Sequence, residues 1–82
     1  MNIVPIGEPI RVLAAFSAGA VEPLQFHWGN RAHEIEAVNG RWIDRSSGGL
    51  CLHFSVQAGP ETYYIHFGAQ DVQWWLDQVV TE

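Results

Sequence analysis

Gly29-Asn30 stands between two runs that each alternate apolar and polar side chains, and this arrangement constrains the fold more than any other feature of the chain. Leu24, Phe26 and Trp28 alternate with Gln25 and His27 before it, and the alternation resumes through His33-Glu34-Ile35-Glu36 after it. Both turn residues tolerate positive φ, which a two-residue β-hairpin connection requires. The register follows: Trp28 opposes Arg31, Phe26 opposes His33 and Leu24 opposes Ile35, which puts one mainly apolar face against a core.

The same period of two recurs along the chain. Ile10, Val12, Ala14 and Phe16 predict a strand over about residues 9–16, entered through an irregular Pro5-Ile-Gly-Glu-Pro9, and the breaker-rich Ser17–Pro23 segment reads as a reversal. From Ile35 the next apolar position is Val38, so the strand is either bulged near Glu36-Ala37 or ending. Asn39-Gly40 reads as a second turn, Arg41–Asp44 as a brief strand returning beside its predecessor, and Ser46–Gly49 as a polar loop. Leu50, Leu52, Phe54 and Val56 then alternate with Cys51, His53, Ser55 and Gln57. Ala58–Glu61 turns the chain, and Tyr63, Ile65 and Phe67 alternate with Thr62, Tyr64 and His66. The predicted core is Leu24, Phe26, Ile35, Leu52, Phe54, Ile65 and Phe67.

The last segment fits two periods. Val72, Trp75, Leu76, Val79 and Val80 match a helical stripe with Asp71 as N-cap, whereas Trp74, Leu76 and Val80 suit a strand. Adjacent tryptophans and paired valines favour the strand. Residues 1–82 are thus expected to form a single all-β domain, a small curled antiparallel sheet or partly open barrel of five to six strands, with a short C-terminal helix as the alternative.

Composition narrows the function classes. The chain has 82 residues, 48% of them hydrophobic, and a domain of this size buries roughly 60% of its unfolded surface, too little for a deep enclosed cavity. Four arginines and no lysine stand against nine acids, for a formal charge of −5, which disfavours grip on nucleic acid through phosphates. The single Cys51 forms no internal disulfide, so a reducing cytoplasm fits best. The apolar run from Arg11 to Ala20 imitates a signal peptide but follows Glu8 and two prolines and lacks a basic cluster. No stretch reaches the ~20 apolar residues that span a bilayer.

The series Gly7-Glu8-Pro9-Ile10-Arg11-Val12, then Pro23-Leu24-x-Phe26-x-Trp28-Gly29-x-Arg31, then Ile35, Val38 and Trp42, resembles a family of small bacterial proteins of unknown function. Its members occur alone or beside translesion (Y-family) DNA polymerases. The end, Tyr64-x-x-Phe67 followed by Trp74-x-Leu76 and Val79, is similar too, so the resemblance runs from about Ile6 to Val79. It implies an all-β chain to its end and a role as an accessory in DNA repair or translesion synthesis, and it carries over no catalytic residue. The chain departs from the pattern at His33, where tyrosine is usual, at Asn30, and in its lower arginine content.

Two residue sets carry candidate chemistry. With Gln57 opposite Thr62, His53 falls opposite His66 on the face away from the core, with Cys51 two residues along, a set able to hold zinc. The bland reading is a polar cross-strand pair. Trp28 with Arg31, and Arg41 with Trp42, suggest guanidinium and aromatic surfaces for a binding partner, or arginines that simply cover a tryptophan. Tyr64, Trp74 and Trp75 add aromatic surface, and ten aromatic residues are many for one small core. His33 reads as a hydrogen-bonded core residue and Glu34 with Glu36 as a solvated strand face. No catalytic residue and no cofactor is expected. The leading expectation is a non-catalytic interaction module presenting a strand edge or an aromatic face to a protein partner, or to a second copy in a homodimer that buries Trp74 or Trp75. A small metal-assisted enzyme using Cys51, His53 and His66 is the further alternative.

Overall fold

The computed structural model describes residues 1–45 and 49–81, and these form seven strands and no helix. The strands are β1 (Asn2–Ser17), β2 (Ala20–Trp28), β3 (Arg31–Glu34), β4 (Ala37–Asp44), β5 (Cys51–Ala58), β6 (Glu61–Gly68) and β7 (Gln73–Thr81). They lie in the order β3-β2-β1-β7-β6-β5-β4, every pair antiparallel, as one curled half-barrel sheet. The all-β class and the C-terminal strand are as expected; the count is seven rather than five to six, and the strands on either side of Ile35-Glu36 stand at opposite edges. Among the described residues no helix is long and apolar enough to cross a membrane.

β1 bends the sheet. Its residues 2–10 pair with β7 and its residues 11–17 with β2, so each half has one hydrogen-bonded neighbour. Pro5 and Pro9, which lack an N–H, sit in the half with one paired side, the place where a strand tolerates proline. The segment expected as an irregular entry is therefore strand, interrupted by a bulge between Pro5 and Glu8. Gly7, at φ 68°, supplies the left-handed residue that such a bulge uses.

The edges are joined covalently. β3 and β4 are at opposite ends of the strand order yet are linked by Ile35 and Glu36 alone. An extended chain spans at most ~3.6 Å per residue, so Glu34 and Ala37 lie within about 11 Å and the sheet has to curl until its edges approach. Ile35 N donates to Leu24 O at 3.0 Å on one side, and Glu36 N donates to Gln57 O at 2.8 Å on the other. The three-residue step from Ile35 to Val38 marks this crossing.

Asn39-Gly40 is no turn. β4 runs through it as a strand paired with β5, not with β3, and Asn39 is the residue left over in a bulge between Val38 and Gly40. Seven consecutive residues of β5, Cys51–Gln57, offer β4 a continuous partner, which outweighs the local turn preference. The reversal expected over Ser17–Pro23 is confined to Ala18-Gly19, at φ 52° and 76°, and Ala20–Pro23 belongs to β2. Gly29 and Asn30, at φ 60° and 65°, form the expected hairpin turn. Gly59-Pro60 links β5 to β6, with Gln57 opposite Thr62. Of the expected Ser46–Gly49 loop, all but Gly49 lies outside the described residues.

The core is built from the inner faces: Ile10, Phe26, Phe54, Val56, Tyr63, Ile65, Phe67, Trp74, Leu76 and Val79. Of the expected core, Phe26, Phe54, Ile65 and Phe67 are buried, Ile35 and Leu52 pack at its margin, and Leu24 is 44% exposed. Leu13 pairs with Gln25 and Ala14 with Pro23, so a bulge skips Leu24 and gives the inward place to Pro23. β7 uses the same device. Tyr64 pairs with Gln78 and Ile65 with Leu76, which skips Asp77 and turns Val79, rather than Val80, into the core.

Candidate functional site

An open cleft of about 600 Å³ lies between β3, the β5–β6 hairpin and the adjoining ends of β1 and β7. The two-residue turn at Gly29-Asn30 places Trp28 directly opposite Arg31, and the alternation that follows brings His33 to the same inner face as Phe26. Trp28, His33 and Tyr63 form the aromatic walls. The rings of Trp28 and Tyr63 stand 6.4 Å apart at 73°, His33 is 5.5 Å from Tyr63, and Phe26 stacks on His33 at 4.8 Å and 11°. Trp28 Nε1 donates to Glu8 Oε1 at 3.1 Å, which fixes the indole plane. Ile6 and Val79 complete the apolar lining.

The rim carries Arg31, Glu34, Glu36 and Glu61, three carboxylates against one guanidinium. Glu34 accepts a hydrogen bond from the Gln25 amide, Glu36 Oε2 accepts one from Gly59 N–H at 3.1 Å, and Glu61 Oε1 accepts one from the Tyr63 hydroxyl at 3.3 Å. Among the described residues none of the three forms an ion pair. Burial pushes the Tyr63 phenol above its usual range, the neighbouring Glu61 charge and hydrogen bond push the same way, and Arg31 opposes them. His33 reaches the core side as expected but not as a satisfied residue: its Nε2 is buried with no hydrogen-bond partner among the described residues. Stacking on Phe26 holds the ring where a hydrogen bond was expected to.

A second, smaller cleft of about 440 Å³ opens where the β1–β2 turn faces β4 and β5. Arg41 crosses it, with Nη2 3.1 Å from Glu22 Oε1, Nη1 donating to Val21 O at 3.4 Å, and Cζ 5.8 Å from the centre of the Phe54 ring. Arg41 pairs with inward Phe54 and Trp42 with outward His53, so their side chains leave opposite faces of the edge strand β4, although both residues line this cleft. Period-two strands send neighbours to opposite faces. Arg31 likewise makes no cation–π contact with Trp28; the one such contact among the described residues is that of Arg41.

The outer face holds a row of rings. Register aligns Trp42, His53, His66 and Trp75 across β4, β5, β6 and β7, and the facing of His53 and His66 is the one counted from the sequence. Trp42 stacks on His53 at 5.3 Å and 6°, His53 lies 5.0 Å from His66, and Trp75 runs nearly parallel to His66 at 6.4 Å and 14°. Tyr64 lies beside Trp42 on this face. Cys51 lines a shallow hollow with His66 and Trp75, but the third donor that approaches the two histidines is Asp77, not Cys51. Trp74 is absent from this surface: it is 8% exposed and packed against Phe54 and Phe67, so the chain's own core covers it.

The candidate binding residues therefore divide among four places: Trp28 and Arg31 at the large cleft, Arg41 and one edge of Trp42 at the second cleft, Trp42 again with Tyr64 and Trp75 on the outer face, and Trp74 in the core. Tyr63, Glu61 and the rim glutamates were missed. Tyr63 was legible only as one position of an alternating strand, and the rim depends on how the edges of the sheet meet. No protein family, curated protein or solved structure matches the chain.

Proposed function

We propose that this protein is a non-catalytic interaction module that receives an extended segment of a partner protein along β3, with a lysine or arginine side chain of that segment entering the large cleft. The observation that carries this reading is the pairing of aromatic walls, Trp28, Tyr63 and His33, with a rim of three carboxylates and one guanidinium. Aromatic faces attract a cation by about 0.5–2 kcal/mol, more as the site excludes water. A rim of net negative charge adds to that attraction and selects against anionic ligands.

β3 supports the geometry. It is an edge strand whose four residues all line the cleft, and its backbone pairs with β2 on one side only. An added strand would take its main-chain hydrogen bonds from that free side and place alternate side chains toward the cleft. The resemblance to proteins found beside translesion polymerases makes a polymerase-associated protein the first partner to test, met through protein contact. The charge of −5 agrees with such a contact better than with DNA itself.

The test is an isothermal calorimetric titration with an acetylated, strand-forming peptide carrying one central lysine, and with the same peptide carrying norleucine instead. The lysine peptide should bind at least tenfold more tightly, and Trp28→Ala and Glu61→Gln should each remove most of that preference. Equal affinity for the two peptides would reject the reading.

A further inference from the structure

The outer face of the sheet carries a second constellation, separate from the cleft. His53 on β5 and His66 on β6 face each other directly in the register, and Asp77 on β7 joins them. Asp77 occupies the bulge between Leu76 and Gln78, the residue that the pairing with β6 skips. That bulge sets its carboxylate against the His66 ring, both oxygens 2.9 Å from Nδ1. Bulges commonly re-aim one side chain at a functional place. One donor atom from each of the three residues lies within 4.8 Å of the others.

We propose that His53, His66 and Asp77 form a binding site for a divalent transition ion of the zinc class. The donor set, two imidazoles and one carboxylate, suits zinc and its borderline neighbours, and disfavours magnesium and calcium, which take oxygen ligands. Metal–ligand bonds of about 2.0–2.1 Å in a tetrahedron place ligand atoms about 3.3 Å apart. The His66–Asp77 pair is within a few tenths of an ångström of that spacing, and His53 closes the remainder, at most about 1.5 Å, by side-chain rotation, with water in the fourth position.

The flanking groups fit the role. A carboxylate only accepts, so His66 Nδ1 carries the proton that faces Asp77. The ion replaces that proton, and the neutral ring moves it to Nε2, so charge and protons balance. Trp42 and Trp75 lie parallel to the outer faces of His53 and His66 and flank the pair on either side. The His53 side chain is 21% exposed and that of His66 22%, open enough for an ion to enter and covered enough to limit competing water. Asp44 Oδ2, 4.0 Å from His53 Nε2, adds negative charge at the opposite end of the pair.

The experiment uses the full chain, Zn²⁺ alone as the probe, and equilibrium dialysis at neutral pH, with imidazole ¹H–¹⁵N spectra of the wild type as the second readout. One Zn²⁺ per chain is expected, with the ring resonances of His53 and His66 shifting while those of His27 and His33 stay in place. Asp77→Asn and His66→Gln should each weaken binding at least tenfold, and His27→Gln, on the exposed face of β2, should leave it unchanged. Mg²⁺ and Ca²⁺ at the same concentration should produce none of these shifts. Absence of stoichiometric binding, equal shifts at His27, or equal response to Ca²⁺ would each overturn the proposal. The wild-type spectra decide the matter even where a variant fails to fold.

Discussion

Plain alternation gives Leu24 and Phe26 the same status, two inward residues on one strand, and the bulge in β2 separates them. Phe26 is fully buried, stacked on His33 and edge-on to Tyr63, whereas Leu24 is 44% exposed. Truncating a buried phenylalanine to alanine removes its transfer energy and leaves a cavity, so Phe26→Ala should cost about 3–5 kcal/mol. Leu24→Ala removes methyl groups that are about half in water, and at ~0.8 kcal/mol per fully buried methylene it should cost about 1 kcal/mol or less. Urea unfolding followed by tryptophan fluorescence measures both. With a slope near 1 kcal/mol per molar for a domain of this size, the two midpoints should differ by about 2 M or more. A Leu24→Ala cost of 2 kcal/mol or more would show that Leu24 points into the core and that the bulge is absent.

Three further outcomes follow from particular residues. Val72 holds φ 53° in the β6–β7 turn while 74% exposed, a conformation strained for a β-branched side chain, so Val72→Gly should stabilise by about 0.5–1 kcal/mol and raise the thermal midpoint by several degrees. The raised Tyr63 pKa means that, above about pH 10, the unfolded chain loses this proton more readily than the folded one. Stability is therefore intact below that pH and falls as pH rises toward the folded value, and Tyr63→Phe should flatten the alkaline decline seen in denaturant titrations. Arg41→Ala loses a half-exposed ion pair with Glu22 and uncovers Phe54, and should cost about 1 kcal/mol by the same unfolding assay.

The hairpins were legible because their turn chemistry is local. Gly29-Asn30 specifies positive φ at both positions, and counting outward from a turn yields Phe26 opposite His33 and His53 opposite His66 without knowledge of the rest of the sheet. What escaped was set by bulges and by closure. The skipped residues Leu24, Asn39 and Asp77 each shift the inward parity of a strand by one, and a bulge in one strand is defined by its partner strand, not by its own alternation. Asn39-Gly40 shows the conflict plainly, a pair with strong local turn character absorbed into a strand by long-range pairing with β5. The cleft was hidden for the same reason. Its lining comes from β1, β2, β3, β6, β7 and the β5–β6 hairpin, and the two-residue link at Ile35-Glu36 draws the two ends of that sheet together.

The binding reading rests on where a cation sits, and the most direct measurement is amide and side-chain ¹H–¹⁵N shift mapping of the wild-type protein titrated with the lysine peptide. The account predicts shifts concentrated at the Trp28 Nε1–H, the His33 ring and the amides of Arg31–Glu34, Glu61 and Tyr63, several-fold smaller with the norleucine peptide at the same concentration and reduced by added salt. Shifts confined to the outer row of Trp42, His53, His66 and Trp75, or no difference between the two peptides, would contradict it.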